Sequence, residues 1–343
     1  MEDTEIKEDV YDWEHLDEDT VAQYEKFNLD AYNKGKGYSC PNFPLFDKYM
    51  EGLESGLYMF AGESNHGKSR LVQNLLWDFI KNEENHLFGL YFTLDDTANE
   101  FIPHLIAMTQ SIPIAVGSKP QRFQDMVDMG DQNAPTYSSW LNKREAGLQE
   151  LIDMKRRFKI YDGKTITCGE DILETCIAVK AQIGIWDEKA NIIVVIDSLS
   201  DITFRDKTFK TDKELNDHIA KQVKKWAVEI LDCPILGTLH LRKIDQNRRP
   251  TVADVKESGR YVYEASYLGL IYNDVSRNKQ SAKIALREEG SDELMPVIEL
   301  DWAKNKKSSF KGRTYHSFIT NYSQVKECDE GVTERFNTLI YSI

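Results

Sequence analysis

The chain has 343 residues, 41% of them hydrophobic, and a net charge of −14. That is ample for one large domain or two small ones; no run approaches the roughly 18 apolar residues of a membrane span, and the acidic start is no secretory leader, which points to the cytoplasm. Five cysteines (40, 168, 176, 233, 328) are scattered, odd in number and without C-x-x-C spacing, so neither a disulfide framework nor a zinc site is expected.

Residues 1–19 hold ten acidic residues against one lysine, a balance of −9 that leaves −5 for the other 324. This block is expected to be a disordered, solubilising tail, and the acidity of the whole chain therefore does not exclude a nucleic-acid partner. Residues 21–32 predict a short helix with Thr20 as N-cap and Val21, Tyr24, Phe27 and Leu29 as apolar contacts, followed by a Gly-Lys-Gly turn at 35–37. A lone helix of that length must pack on something. Strand-like segments then alternate with helical ones, at 57–61, 88–94, 158–161, 191–196 and 234–239, the pattern of a mostly parallel sheet covered by helices on both faces. Residues 97–157 hold helical patterns around a polar stretch, 117–139, read as a surface excursion. From 266 strands follow one another (266–272, 282–287, 297–303, 314–320), a meander extending the same sheet. The simplest partition is one α/β domain over 37–325, with 326–343 as a C-terminal tail.

Within "GLYMFAGESNHGKSRLVQNLLWDFI", residues 56–80, Gly62, Gly67, Lys68 and Ser69 fit G-x-x-x-x-G-K-[ST]. Backbone N–H groups of such a loop cradle phosphate oxygens, the lysine reaches the β and γ positions and the hydroxyl ligates Mg²⁺. The binding segment is thus Gly62, Glu63, Ser64, Asn65, His66, Gly67, Lys68, Ser69 and Arg70, with the side chains of Glu63 and His66 read as solvated spacers. Its setting between an apolar strand and a helix with Leu71, Val72, Leu75, Leu76, Phe79 and Ile80 at helical spacing is what the motif requires.

"NIIVVIDSLSDI" runs an apolar strand into Asp197, at the sheet edge where phosphate and Mg²⁺ sit. "LYFTLDD" offers a second edge acid, Asp95 or Asp96, to orient an attacking water. "CPILGTLHLRK" is a further strand, ending at His240, a candidate sensor of the γ-phosphate.

These segments, in order, resemble the helicase domain of DnaB-type hexameric replicative helicases, a branch of the RecA-like ATPases. The likeness runs from about residue 37 to 325. "GYSCPNFPLFDKYMEGLESGLYMFAGESNHGKS" is similar to the family's glycine turn, "fxxLD" and P-loop, and "VVIDSLSDI" to its "IVIDYLQL". "RRPTVADVKESGRYVYEASYLGLIYND" resembles "RPxxxDLRESGxIExDAD" with its following strand, and "DWAKNKKSSFKG" resembles "KQRNGPxG".

The resemblance implies ATP and Mg²⁺ (held through Ser69 and Asp197) bound between subunits of a hexameric ring. One DNA strand would pass through the hole in the 5′ to 3′ sense, with a primase or helicase loader as further partners. Asp95 then corresponds to the water-orienting glutamate and Lys306 to the finger arginine from the neighbouring subunit, with Lys304 as the family's other basic residue there and Arg313 a possible compensating charge. Arg205, Lys207 and Lys210 on one loop, and Lys256, Glu257 and Gly259 on another, correspond to the DNA-facing segments. The helix at 20–36 would match the linker that docks on the adjacent subunit.

Departures from the family are the shorter Asp95, the lysine at 306, which cannot form a bidentate fork, and no counterpart of the separate N-terminal domain. Two other readings remain open. One is a RecA-like recombinase forming filaments; the other is an ATP-gated DNA-binding or loading factor with slow hydrolysis.

Overall fold

The computed structural model describes residues 21–26, 37–205, 207–244, 248–255, 259–287 and 292–341. They divide into two compact units, one ending at Gly37 and the other spanning Tyr38–Ile343. In the first, 21–26 are helical, with Val21 and Tyr24 exposed. The acidic tail, Phe27 and Leu29 lie outside the described residues.

The second unit is built on ten strands among the described residues, in the order β10-β9-β8-β6-β1-β5-β4-β2-β3, with β7 paired to β8. They are β1 (Gly56–Gly62), β2 (Leu87–Thr93), β3 (Phe158–Asp162), β4 (Asn191–Asp197), β5 (Pro234–His240), β6 (Tyr267–Asn273), β7 (Ala285–Arg287), β8 (Leu294–Asn305), β9 (Arg313–Ile319) and β10 (Gln324–Glu327). The pairs from β6 through β3 are parallel, and β8, β9 and β10 add antiparallel pairs, β8 against β6. This is the α/β architecture that the alternation of segments predicts.

Parallel strands buried on both faces should be apolar at every position, with odd and even residues feeding separate cores. In β1, Leu57, Met59 and Ala61 join one core while Tyr58 and Phe60 join the other; Ile192, Val194 and Ile196 of β4 split likewise from Ile193 and Val195. One core is covered by the helices Gly169–Trp186 and Asp212–Lys225, through Ile172, Cys176, Ile219 and Val223. Helices Lys68–Lys81 and Ala98–Gln110 cover the other, through Leu71, Leu75, Phe79, Phe101 and Leu105.

Two segments carry more regular structure than the sequence pattern specifies. The polar stretch 117–139 lies mostly in the helices Pro120–Asp128 and Ala134–Asp153. Each has proline in its first turn, where the missing N–H costs nothing, and Phe123 and Trp140 pack on a small apolar cluster of Ile106, Ile112 and Val116. Residues 326–343 include a helix, Glu330–Tyr341, whose Phe336 is buried against Tyr315. All five cysteines are free and buried. No helix among the described residues is long and apolar enough to cross a membrane.

Candidate active site

The C-terminal ends of β1, β5, β4 and β2 bring four sequence-predicted groups to one edge of the sheet: the glycine loop, His240, Asp197 and the Asp95–Asp96 turn. Gly67 holds φ +96°, and a Cβ there would sit 2.6 Å from Ile298 Cδ1, so only glycine lets the loop close onto the helix that begins at Lys68. The loop's backbone N–H groups and the helix N-terminus together favour an anion.

Lys68 is 6% exposed, with Nζ donating to Glu63 O at 3.0 Å. Burial pulls its pKa down to about 8, opposed by the charges of Asp197 and Glu63. Asp197 is held by two donors, Tyr91 OH at 2.8 Å on Oδ2 and Thr238 Oγ1 on Oδ1. Burial drives the Tyr91 hydroxyl well above its ordinary range, so it remains a donor. With the Ser69 hydroxyl one residue past Lys68, these are hard oxygen donors suited to Mg²⁺, which takes one or two side chains and completes its shell with phosphate and water. Among the described residues no cluster of three or more His, Cys, Asp or Glu offers an all-protein metal cage.

Asp95 and Asp96 are both exposed in the turn after β2. The turn is tied to β4 by Leu94 N donating to Asp197 O (2.8 Å), and Thr93 Oγ1 donates to Asp96 O (2.9 Å). It leads into a helix capped reciprocally by Thr97 and Glu100. Desolvation raises the Asp96 carboxyl, Arg70 opposes that, and Asp197 and Asp95 reinforce it. Burial lowers the Arg70 pKa, opposed by Tyr91 and by the charges of Asp96 and Asp197, and its Nη1 donates to Gln73 Oε1 at 2.9 Å.

Glu63 and His66 are not solvated spacers. His66 is 4% exposed, edge-on to Tyr272, and burial lowers its pKa. Glu63 accepts from Arg277 Nη1 at 3.3 and 3.5 Å and from Ile244 N at 3.3 Å, and Arg277 Nη2 donates in turn to Ile244 O. The glycine loop, the short helix Asp274–Asn278 after β6 and the segment after β5 are thereby tied together beside a cavity of about 550 Å³ that His240, Lys243 and Lys279 also line. Opening this tie with Arg277→Gln should loosen the loop. Nucleotide affinity is expected to fall by about fivefold, the worth of roughly 1 kcal/mol for a partly buried charged hydrogen bond; an unchanged affinity in a fluorescent-nucleotide titration would contradict it.

Lys304 and Lys306 are not brought to this edge. Asn305 pairs with Tyr267 at the start of β6, whereas Gly62 pairs with Ile271; four residues of strand, about 13 Å, separate the two levels. Arg313 pairs with Asp301 at 3.2 Å. Of the candidate DNA-facing residues, Arg205 is engaged by Asp171 and Glu174, Lys207 Nζ lies 3.2 Å from His218 Nε2, and Lys210 is exposed. Lys256 and Glu257 lie outside the described residues, and Gly259 opens the helix Gly259–Glu264.

Comparison with known proteins returned a family model, the DnaB-like helicase C terminal domain, over residues 41–326. No curated protein matches by sequence. Among solved structures, an isolated ATPase domain superposes with TM-score 0.70 at 19% identity, covering 92% of this chain and 99% of that one. A DnaB-like replicative helicase, described with its interactions with primase, gives the same score and identity over 92% of this chain and 68% of its own.

Proposed function

The chain belongs to the DnaB-like helicase C-terminal domain family, the ATP-hydrolysing DNA helicases of replication, and from that premise we propose a hexameric ring that moves along single-stranded DNA. The carrying observation is the separation of the two halves of the site. Lys68 and Asp197 stand at one sheet edge and Lys304 and Lys306 toward the other, which supports a reading in which the two lysines act on the nucleotide of a neighbour in a ring.

In this reading the glycine loop and Lys68 hold the β and γ oxygens of ATP, and Ser69 with Asp197 hold Mg²⁺, which neutralises charge developing on the phosphoryl group. Asp95, by its family correspondence, orients the attacking water, and His240 registers the γ-phosphate. Lys306 of the neighbouring subunit adds positive charge in the transition state, with Lys304 beside it. Arg205, Lys207, Lys210, Lys256, Glu257 and Gly259 lie on the two segments that would line the hole. The exposed Val21 and Tyr24 support docking of the 20–36 segment on the next subunit. Movement from 5′ to 3′, a primase or loader as partner, and a cytoplasmic setting belong to the same reading.

DNA-stimulated ATPase, with electron microscopy of the nucleotide-bound protein, tests it. Rings and DNA-stimulated turnover are expected, with Asp95→Asn abolishing turnover while leaving ATP binding intact. Open filaments would favour the recombinase, and wild-type protein that binds DNA but hydrolyses no ATP would favour the loading factor.

A further inference from the structure

The far side of the sheet gathers more positive charge than Lys304 and Lys306 supply. Lys304 Nζ donates to Val262 O at 2.5 Å and Tyr263 O at 2.8 Å, carbonyls near the end of the Gly259–Glu264 helix. Lys306 has an exposed side chain, and its backbone N–H donates to Ser266 O at 2.9 Å. The hydroxyl of that same Ser266 accepts from Lys224 Nζ at 2.9 Å; Lys224 is half-buried in the last turn of the Asp212–Lys225 helix. One serine thus fixes Lys224 beside the strand end that carries Lys306.

The three ammonium groups feel each other. Burial and then Lys306 and Lys307 lower the Lys224 pKa; burial and then Lys306 bring Lys304 down to about 8, with Lys224 contributing. Glu264, paired with Arg260, opposes the fall at both Lys224 and Lys304 as the smallest of the contributions, and Glu54 is engaged by Lys307. Like charges held together in partly desolvated surroundings are repulsive until an anion joins them.

We propose that Lys224 is a further positioning residue of the site completed across the subunit interface, forming with Lys304 and Lys306 a three-lysine receptor for the terminal phosphate of the neighbour's nucleotide. The inference rests on the ring reading above. Lys304 is pinned by carbonyls, Lys306 is exposed, and Lys224 shares Ser266 with the strand end that carries Lys306 and adds charge there. A structural role would need only a donor to Ser266, whereas the receptor role needs the cation, and the two are separable.

Lys224→Gln keeps an amide donor and removes the charge; Lys224→Arg keeps the charge. Steady-state DNA-stimulated ATPase across pH is measured for both, beside Lys306→Ala. Lys224→Gln is expected to lower kcat about tenfold with KM within about twofold, and Lys224→Arg to stay within about threefold of wild type. Removing one like charge also moves the alkaline limb of the Gln variant to higher pH, since the remaining lysines then hold their protons more firmly. A wild-type kcat for Lys224→Gln with an inactive Lys306→Ala would overturn this inference and leave the ring reading standing. Wild-type kcat in both Lys224→Gln and Lys306→Ala would overturn the ring reading beneath it. Equal losses in the Gln and Arg variants with an unmoved alkaline limb would show that the charge at 224 is not what the site needs and would overturn the inference.

Discussion

Lys68→Ala is expected to lower ATP turnover by about a thousandfold and to weaken triphosphate binding, while the protein folds at least as stably as wild type. The two halves of this expectation come from one physical fact. The ammonium of Lys68 is almost fully removed from water and its pKa is drawn down to about 8 by burial, so below that pH the folded chain carries a desolvated cation at a cost. Its folded pKa is lower than its unfolded one, so the cost is fully present below about 8 and fades as pH rises toward the ordinary lysine value. Removing the side chain removes the cost along with the catalyst. Asp197→Asn should differ: the amide keeps an oxygen for one of the two hydroxyls, Tyr91 or Thr238, that hold the carboxylate, and it leaves Lys68 in place, so binding persists while Mg²⁺-dependent hydrolysis fails. Wild-type turnover in Lys68→Ala, measured by phosphate release, would remove the nucleotide site from this edge of the sheet.

The second large effect is expected at Lys306. Lys306→Ala should bind ATP as wild type does yet lose about a hundredfold in kcat, the scale seen when one donor to a developing negative charge is deleted. Its affinity should hold because Lys306 does not reach the nucleotide of its own chain, being attached to the strand end paired with the start of β6. Lys306→Arg is expected to keep or raise the rate, since a guanidinium offers a planar fork where an ammonium offers a point charge. A raised KM with unchanged kcat would instead make Lys306 a ground-state contact.

Much of the architecture was legible because it is local. The strand segments are short apolar runs with turn residues at their ends, and the glycine loop declares itself by spacing. Asp197 was legible as a carboxylate at a strand end, but the groups that aim it were not: Tyr91 and Thr238 read as ordinary strand residues until the register set β2 beside β4 and β4 beside β5. Glu63 looked solvated because its partner, Arg277, is 214 positions away, and no local pattern encodes such a pair. Lys224 is one of two adjacent lysines at a helix end, and what distinguishes it from the exposed Lys225, its bond to Ser266 and its partial burial, is set by a residue 42 positions away. The helices within the 117–139 surface excursion were not legible because they bury few residues, relying on aromatic contacts among Phe123, Tyr137 and Trp140. The choice between Asp95 and Asp96 depends on side-chain direction within one turn, which neither composition nor spacing carries.

The central claim, that each ATP is surrounded by two subunits, is tested most directly by mixing two inactive variants. Lys68→Ala subunits lack a working loop but keep Lys306; Lys306→Ala subunits have the reverse defect. Alone, each should be inactive. After co-assembly at varied ratios, interfaces pairing an intact loop with an intact Lys306 should form, and DNA-stimulated ATPase is predicted to reappear with a maximum at intermediate mixing. Activity absent at every ratio, in rings shown by light scattering to contain both variants, would contradict a site shared between subunits.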